Sequence, residues 1–147
     1  MILYTMGFTK KSAEKFFNLI KENNIQILID IRLYANTQLA GFAKGRDLEY
    51  FLHELCNCEY QHCINYAPSQ ELLDNYRNKS VTWQDYVREF TTIMANNGAV
   101  NDFLERFGNY ESVCLLCTED KPEQCHRRLF AEMINVRKPG IKIKHLR

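Results

Sequence analysis

Two short, nearly uninterrupted apolar runs, Ile25 to Ile31 (IQILIDI) and Ser112 to Cys117 (SVCLLC), constrain the fold more than anything else in the sequence. Both are too short for a buried helix and are rich in aliphatic and β-branched side chains. Strands that show no polar alternation are covered on both faces, which is the situation of a parallel sheet between two helical layers, and the Ile25 to Ile31 strand is expected to be central in it. The segments between them carry the helical period: Ala13, Phe16, Phe17 and Ile20; then Leu48, Phe51, Leu52 and Leu55; then Trp83, Tyr86, Val87, Phe90, Ile93 and Met94; and finally Leu129, Phe130, Met133 and Ile134. Shorter strands are expected at Ile2 to Met6, at Glu59 to Ile64 and, as a closing edge, at Ile141 to Leu146. The expected fold is α/β: a three-layer α/β/α arrangement with a mainly parallel sheet of about five strands and helices on both faces.

Punctuation along the chain supports that order. Ser69 follows Pro68 and should cap a short helix through Leu72, Leu73 and Tyr76, while Thr82 with Asp85 resembles a capping box. Asp47 can cap the helix before it, Asn97 and Gly98 should end the Trp83 helix, and Pro122 should open the last one. The stretch from Leu33 to Arg46 has no clear period and reads as a long loop, a feature often tied to function. No repeat or linker divides residues 1–147, so one domain is expected.

Charge and cysteine content narrow the function. Nineteen Lys and Arg against eighteen Asp and Glu leave a net charge of +1, so bulk charge gives no reason for nonspecific nucleic-acid binding and any anion site must be local. No apolar run is long enough to span a membrane, and Met1 to Met6 lead into a charged helical segment rather than an export signal. The expectation is a cytoplasmic protein whose six cysteines are reduced thiols.

In an open parallel sheet, ligands bind beyond the carboxyl ends of the strands. Three separated stretches place polar or reactive side chains there: Thr5, Gly7 and Thr9 after the first strand; Asp30 and Arg32 at the end of the second; and Cys117, Glu119, Cys125, His126 and Arg127 after the SVCLLC run. Gly7 permits a tight turn, and Thr9 can cap the first helix or help hold an anion. Asp30 and Arg32 share a strand face, where they can pair with each other or receive an anionic group. Cys114 and Cys117 point to opposite faces of a strand, so their C-x-x-C spacing is no metal motif. Cys117 and Cys125 instead face the expected cleft, and Cys125, at the positive end of the last helix beside Arg127 and Arg128, is the one expected to favour thiolate. The expected roles are therefore catalytic for Cys117, Glu119, Cys125 and His126, and substrate or anion binding for Thr5, Gly7, Thr9, Asp30, Arg32 and Arg127. No metal ligands are assigned, and the cofactor is left open. His53, Cys56, Cys58, His62 and Cys63 fit no closed four-ligand pattern, and Trp83, Tyr86 and Phe90 read as core. Lys142, Lys144, His145 and Arg147 read as charges that protect a sheet edge.

At these same residues the chain resembles the bacterial and archaeal family called domain of unknown function 488. YTMGFT (Tyr4 to Thr9), ILIDIR ending at Arg32, APSQELLDNY (Ala67 to Tyr76), TWQDYVREF (Thr82 to Phe90) and above all LLCTEDKPEQCHRR (Leu115 to Arg128) carry the likeness. Relatives often have a Pro and a further Arg or Ser after the second strand, where this chain has YANTQLAGF (Tyr34 to Phe42). The resemblance implies a compact α/β domain with a shared site around Arg32, Cys117, Glu119, Cys125, His126 and Arg127, and it supplies no reaction. Read together, the residues point to a small enzyme acting on an anionic substrate, phosphate-bearing or derived from nucleic acid. The competing readings are a noncatalytic anion- or nucleotide-binding module and a thiol redox switch.

Overall fold

The computed structural model describes residues 1–36, 41–119 and 121–147. Among them are five strands, β1 (Ile2–Gly7), β2 (Ile27–Asp30), β3 (Glu59–His62), β4 (Ser112–Cys117) and β5 (Lys142–Leu146). Six α-helices connect them: α1 (Ala13–Glu22), α2 (Gly45–Cys56), α3 (Gln70–Arg77), α4 (Trp83–Asn96), α5 (Ala99–Phe107) and α6 (His126–Arg137). All strand pairs are parallel, and the order across the sheet is β3-β2-β4-β1-β5. The expected three-layer α/β/α fold is the one observed. Among the described residues no helix is long and apolar enough to cross a membrane.

The strand order decides where a ligand can sit. From β1 to β2 and on to β3 the chain moves towards one edge; from β3 to β4 and on to β5 it moves back. Right-handed crossovers put helices that run in opposite directions on opposite faces. Accordingly, Phe16, Phe17, Ile20, Leu48 and Leu52 of α1 and α2 pack with Tyr4, Met6, Leu28 and Leu116. On the other side, Tyr86, Phe90, Phe103, Phe130 and Ile134 of α4, α5 and α6 pack with Leu3, Ile29, Leu115 and Cys117. The connections leaving adjacent strands β2 and β4 therefore part to opposite faces. That parting opens a crevice at their carboxyl ends.

Local signals explain most element boundaries. The Ser12 hydroxyl caps α1 by accepting from Lys15 N at 3.1 Å, and Ser69 caps α3 by accepting from Leu72 N at 3.1 Å. The Thr82–Asp85 capping box is formed in both directions. Four expectations change. Thr9 does not cap α1; its hydroxyl donates to the Thr118 carbonyl at 2.9 Å, tying the end of β1 to the end of β4. Asp47 does not cap α2, because the helix begins earlier, at Gly45, whose N–H donates to the Ala35 carbonyl at 2.7 Å. A side chain could hardly fit at Gly45, since a Cβ there would stand 3.0 Å from the Tyr60 hydroxyl and 3.1 Å from Ala35 Cβ. Pro122 opens a turn rather than α6. Cys125 N donates to its carbonyl at 3.2 Å, and Cys125 then adopts an extended backbone (φ −135°, ψ 141°) as the N-cap. Finally, the middle strand is β4; β2 is interior but lies next to the edge strand β3. The long loop expected from Leu33 to Arg46 falls in part on residues 37–40, outside the described residues, and is followed by a single 3-10 turn at Gly41–Ala43.

Candidate active site

β2 ends in an ion pair that sequence spacing anticipates. A strand repeats every two residues, so Asp30 and Arg32 emerge on one face. Their side chains form a two-point contact, Nε to Oδ1 at 2.8 Å and Nη2 to Oδ2 at 2.6 Å, and the Arg32 backbone N–H adds a third bond to Oδ1 at 3.1 Å. The Tyr60 hydroxyl donates to Asp30 Oδ2 at 2.6 Å, which fills the carboxylate. Burial and the neighbouring carboxylate push the Tyr60 phenol up, so it remains a donor. Nη2 of Arg32 also donates to the carbonyls of Ala43 at 2.7 Å and Ala35 at 3.1 Å, and the guanidinium lies 5.2 Å over the Phe8 ring. The arginine is only 3% exposed and is held from every side but one. Among the described residues its Nη1 is buried without a hydrogen-bond partner.

The end of β4 carries the second group. Arg127, in the first turn of α6, is fully buried and points back under the sheet edge. Its Nε donates to Thr5 Oγ1 at 3.2 Å, and that hydroxyl lies 2.6 Å from His145 Nδ1 on β5. Its Nη1 donates to Cys117 Sγ at 3.1 Å, to Cys125 Sγ at 3.7 Å and to the Glu119 carbonyl. Burial by itself would raise the Cys117 thiol. The Cys125 thiol, the Arg127 charge and hydrogen bond, and a backbone N–H from Glu119 outweigh it and bring Cys117 down to about 7. Cys125, the cysteine expected to favour thiolate, moves the other way, well above an ordinary thiol, because its burial and the adjacent Cys117 sulfur outweigh the Arg127 charge. Within the pair, Cys117 is thus drawn towards thiolate and Cys125 towards thiol.

His126 adjoins both sulfurs. Its Nε2 lies 2.9 Å from the Ile31 carbonyl; a carbonyl can only accept, so Nε2 carries the hydrogen and Nδ1 keeps its lone pair. Burial first, and the Arg127 charge as well, lower His126 to about 4, so the ring is neutral at physiological pH. Cys117, Cys125 and His126 offer ligand atoms within 4.8 Å of one another, and Nε2–H bonded to a carbonyl is the support a metal-binding imidazole needs. The guanidinium of Arg127, however, already supplies the counter-charge at both sulfurs. The geometry thus favours a thiolate paired with arginine over a metal centre.

These groups meet at a cavity of about 780 Å³, a size suited to a small organic ligand. Arg32, Cys117, Glu119, Cys125 and His126 line it, with Tyr34, Pro68, Leu73, Tyr76 and Tyr86 supplying apolar and aromatic wall. The other expected site residues lie outside the lining. Asp30 holds Arg32 in place, Thr5 and Arg127 lie beneath Cys117, and Gly7 and Thr9 join β1 to β4. Sequence reasoning missed Tyr60 and His145, which act through Asp30 and Thr5. Their only available signal was strand register, Leu28 beside Tyr60 and Thr5 beside His145, which a single sequence does not disclose. Trp83, Tyr86 and Phe90 do form a stacked core ladder, and Tyr86 reaches the cavity wall as well. The second cysteine and histidine group does not assemble. His53 is exposed, His62 Nε2 is bonded to the Arg32 carbonyl at 2.7 Å, and burial pushes Cys58 up to about 12 and Cys63 to about 11.

Comparison with known proteins agrees with the motifs. No curated protein and no solved structure matches the chain. The model of one family, described as domain of unknown function DUF488, matches residues 12–134, a span that includes both the Asp30–Arg32 pair and the Cys117-to-Arg127 turn. On that match, which covers most of its length, the chain belongs to the DUF488 family.

Proposed function

We propose that the protein is an enzyme that uses the Cys117 thiolate as a nucleophile on a small anionic substrate, phosphate-bearing or nucleic-acid-derived. The observation that carries this reading is the fully buried Arg127 donating to Cys117 Sγ at 3.1 Å at the floor of the cavity. A buried arginine spent on a sulfur stabilises thiolate over thiol, which is what a nucleophilic cysteine requires and a packing cysteine does not. The Nη1 of Arg32, which has no partner among the described residues and is presented by a rigid ion pair, is the donor that receives the substrate's negative group. In the first step sulfur bonds to the electrophilic centre as the bond to the leaving group breaks. In the second, water displaces sulfur and restores the thiolate. Glu119, exposed at the cavity, carries protons to the leaving group and from the water, while the neutral His126 ring offers an acceptor at Nδ1.

Turnover of a panel of phosphate monoesters and nucleotide fragments tests this. Cys117→Ser is expected to lower the rate of any substrate found by about 1,000-fold or more, with the thermal midpoint little changed. Equal turnover by the two proteins would end the nucleophile reading. The Arg32 Nη1 atom also favours a second reading, a noncatalytic anion-binding module. Binding of such anions without turnover, lost in Arg32→Gln and intact in Cys117→Ser, would select it.

A further inference from the structure

Cys125 lines the cavity, and the chemistry above leaves it unused. Its sulfur stands within 4.8 Å of the Cys117 sulfur, and the two share the Arg127 Nη1 donor. A disulfide needs about 2.05 Å between sulfurs, so forming one turns the two side chains towards each other. Cys125 is the N-cap of α6 but makes no side-chain capping bond, so turning its thiol costs the helix no hydrogen bond. No other thiol competes for Cys117 from nearby in the chain: Cys114 belongs to the core on the opposite face of the sheet.

We propose that Cys117 and Cys125 form a peroxide-responsive dithiol, in which Cys117 takes the oxidation and Cys125 resolves it as an intramolecular disulfide. This rests on the reading of Cys117 as the resident thiolate. In the first step the Cys117 sulfur attacks one oxygen of a hydroperoxide; the S–O bond forms, the O–O bond breaks, and the other oxygen leaves as an alcohol or water after taking a proton. Sulfur is oxidised by two electrons and the peroxide is reduced by two. In the second step the Cys125 sulfur attacks the sulfenic sulfur; the S–S bond forms, the S–O bond breaks, and hydroxide departs with the Cys125 proton as water. A dithiol reductant returns both thiols. The bridge removes the nucleophile reversibly and keeps it from irreversible sulfinic oxidation.

The full chain treated with increasing hydrogen peroxide near pH 7.5, then mapped by mass spectrometry without reduction, tests this. The expected product has lost two hydrogen atoms, links Cys117 to Cys125, reverts with dithiothreitol and carries no dimedone adduct. Cys125→Ser, with Cys125→Ala as a second variant in case the first misfolds, is expected to give dimedone labelling at Cys117 and sulfinic acid under excess peroxide. A wild-type Cys117 that stays reduced, passes to sulfinic acid unbridged, or bridges to another cysteine would overturn the proposal. Iodoacetamide labelling of the reduced protein before any peroxide is added separates the two ideas. Unlabelled Cys117 counts against the nucleophile reading itself, whereas labelled Cys117 that never bridges to Cys125 counts against the dithiol alone.

Discussion

Arg127→Met is expected to move the pH midpoint for alkylation of Cys117 from about 7 to 9 or above. Methionine fills much of the same volume but removes the charge and the hydrogen bond that oppose the cost of burying a thiolate, and burial alone drives a thiol upward. At pH 7 the thiolate fraction would fall from about one half to about 1%. Because a more basic thiolate is also more nucleophilic, the observed rate at that pH should drop by only about five- to eightfold. The midpoint is therefore the sharper readout. Arg127→Lys should lie between the two proteins, since an ammonium keeps the charge but cannot span Thr5, Cys117 and the Glu119 carbonyl together. Circular dichroism establishes that each variant is folded. A folded methionine variant with the wild-type midpoint would show that Arg127 does not set the state of the sulfur.

The second large effect falls on stability. Asp30→Asn leaves the Arg32 guanidinium, 3% exposed, without its counter-charge and turns an amide group towards its donors. Breaking one side of a buried ion pair costs about 3–5 kcal/mol, a large part of the roughly 5–15 kcal/mol that holds a domain together. Urea unfolding should show that loss as a lower midpoint with an unchanged slope. Adding Arg32→Met to Asp30→Asn should recover much of it, because the stranded charge is then gone as well. A single variant that loses less than about 1 kcal/mol would mean that the pair is not the clamp its geometry describes.

Much of this architecture was legible because it depends on local rules. Ile27, Leu28 and Ile29 with Val113, Cys114, Leu115 and Leu116 had to be buried on both faces, which called for two helical layers. The period of two put Asp30 with Arg32 and separated Cys114 from Cys117. The convergence of Arg32, Cys117, Glu119, Cys125 and His126 on one cavity followed from where strand ends lie in a parallel sheet. What was hidden depends on partners far away in the chain. Arg127 was expected at the site as an anion binder, yet it continues the inward stripe of α6 with Phe130, Ala131 and Ile134, and its burial against Thr5 and the two sulfurs depends on residues brought from β1 and β4. The same is true of Tyr60, whose importance comes from a hydroxyl delivered across strands to Asp30, and of β4, whose central position is a matter of topology alone. Pro122 misled because its fixed φ suits a turn as well as a helix start.

Site-resolved alkylation of the native protein across pH 5 to 10 tests the central claim most directly. A thiol lowered to about 7 becomes nucleophilic as pH rises through that value, whereas burial raises Cys56, Cys58, Cys63, Cys114 and Cys125 and keeps them protonated there. The structure predicts one fast site, Cys117, with a midpoint near 7. Modification of Cys117 no faster than that of Cys58, or only above pH 9, would contradict it.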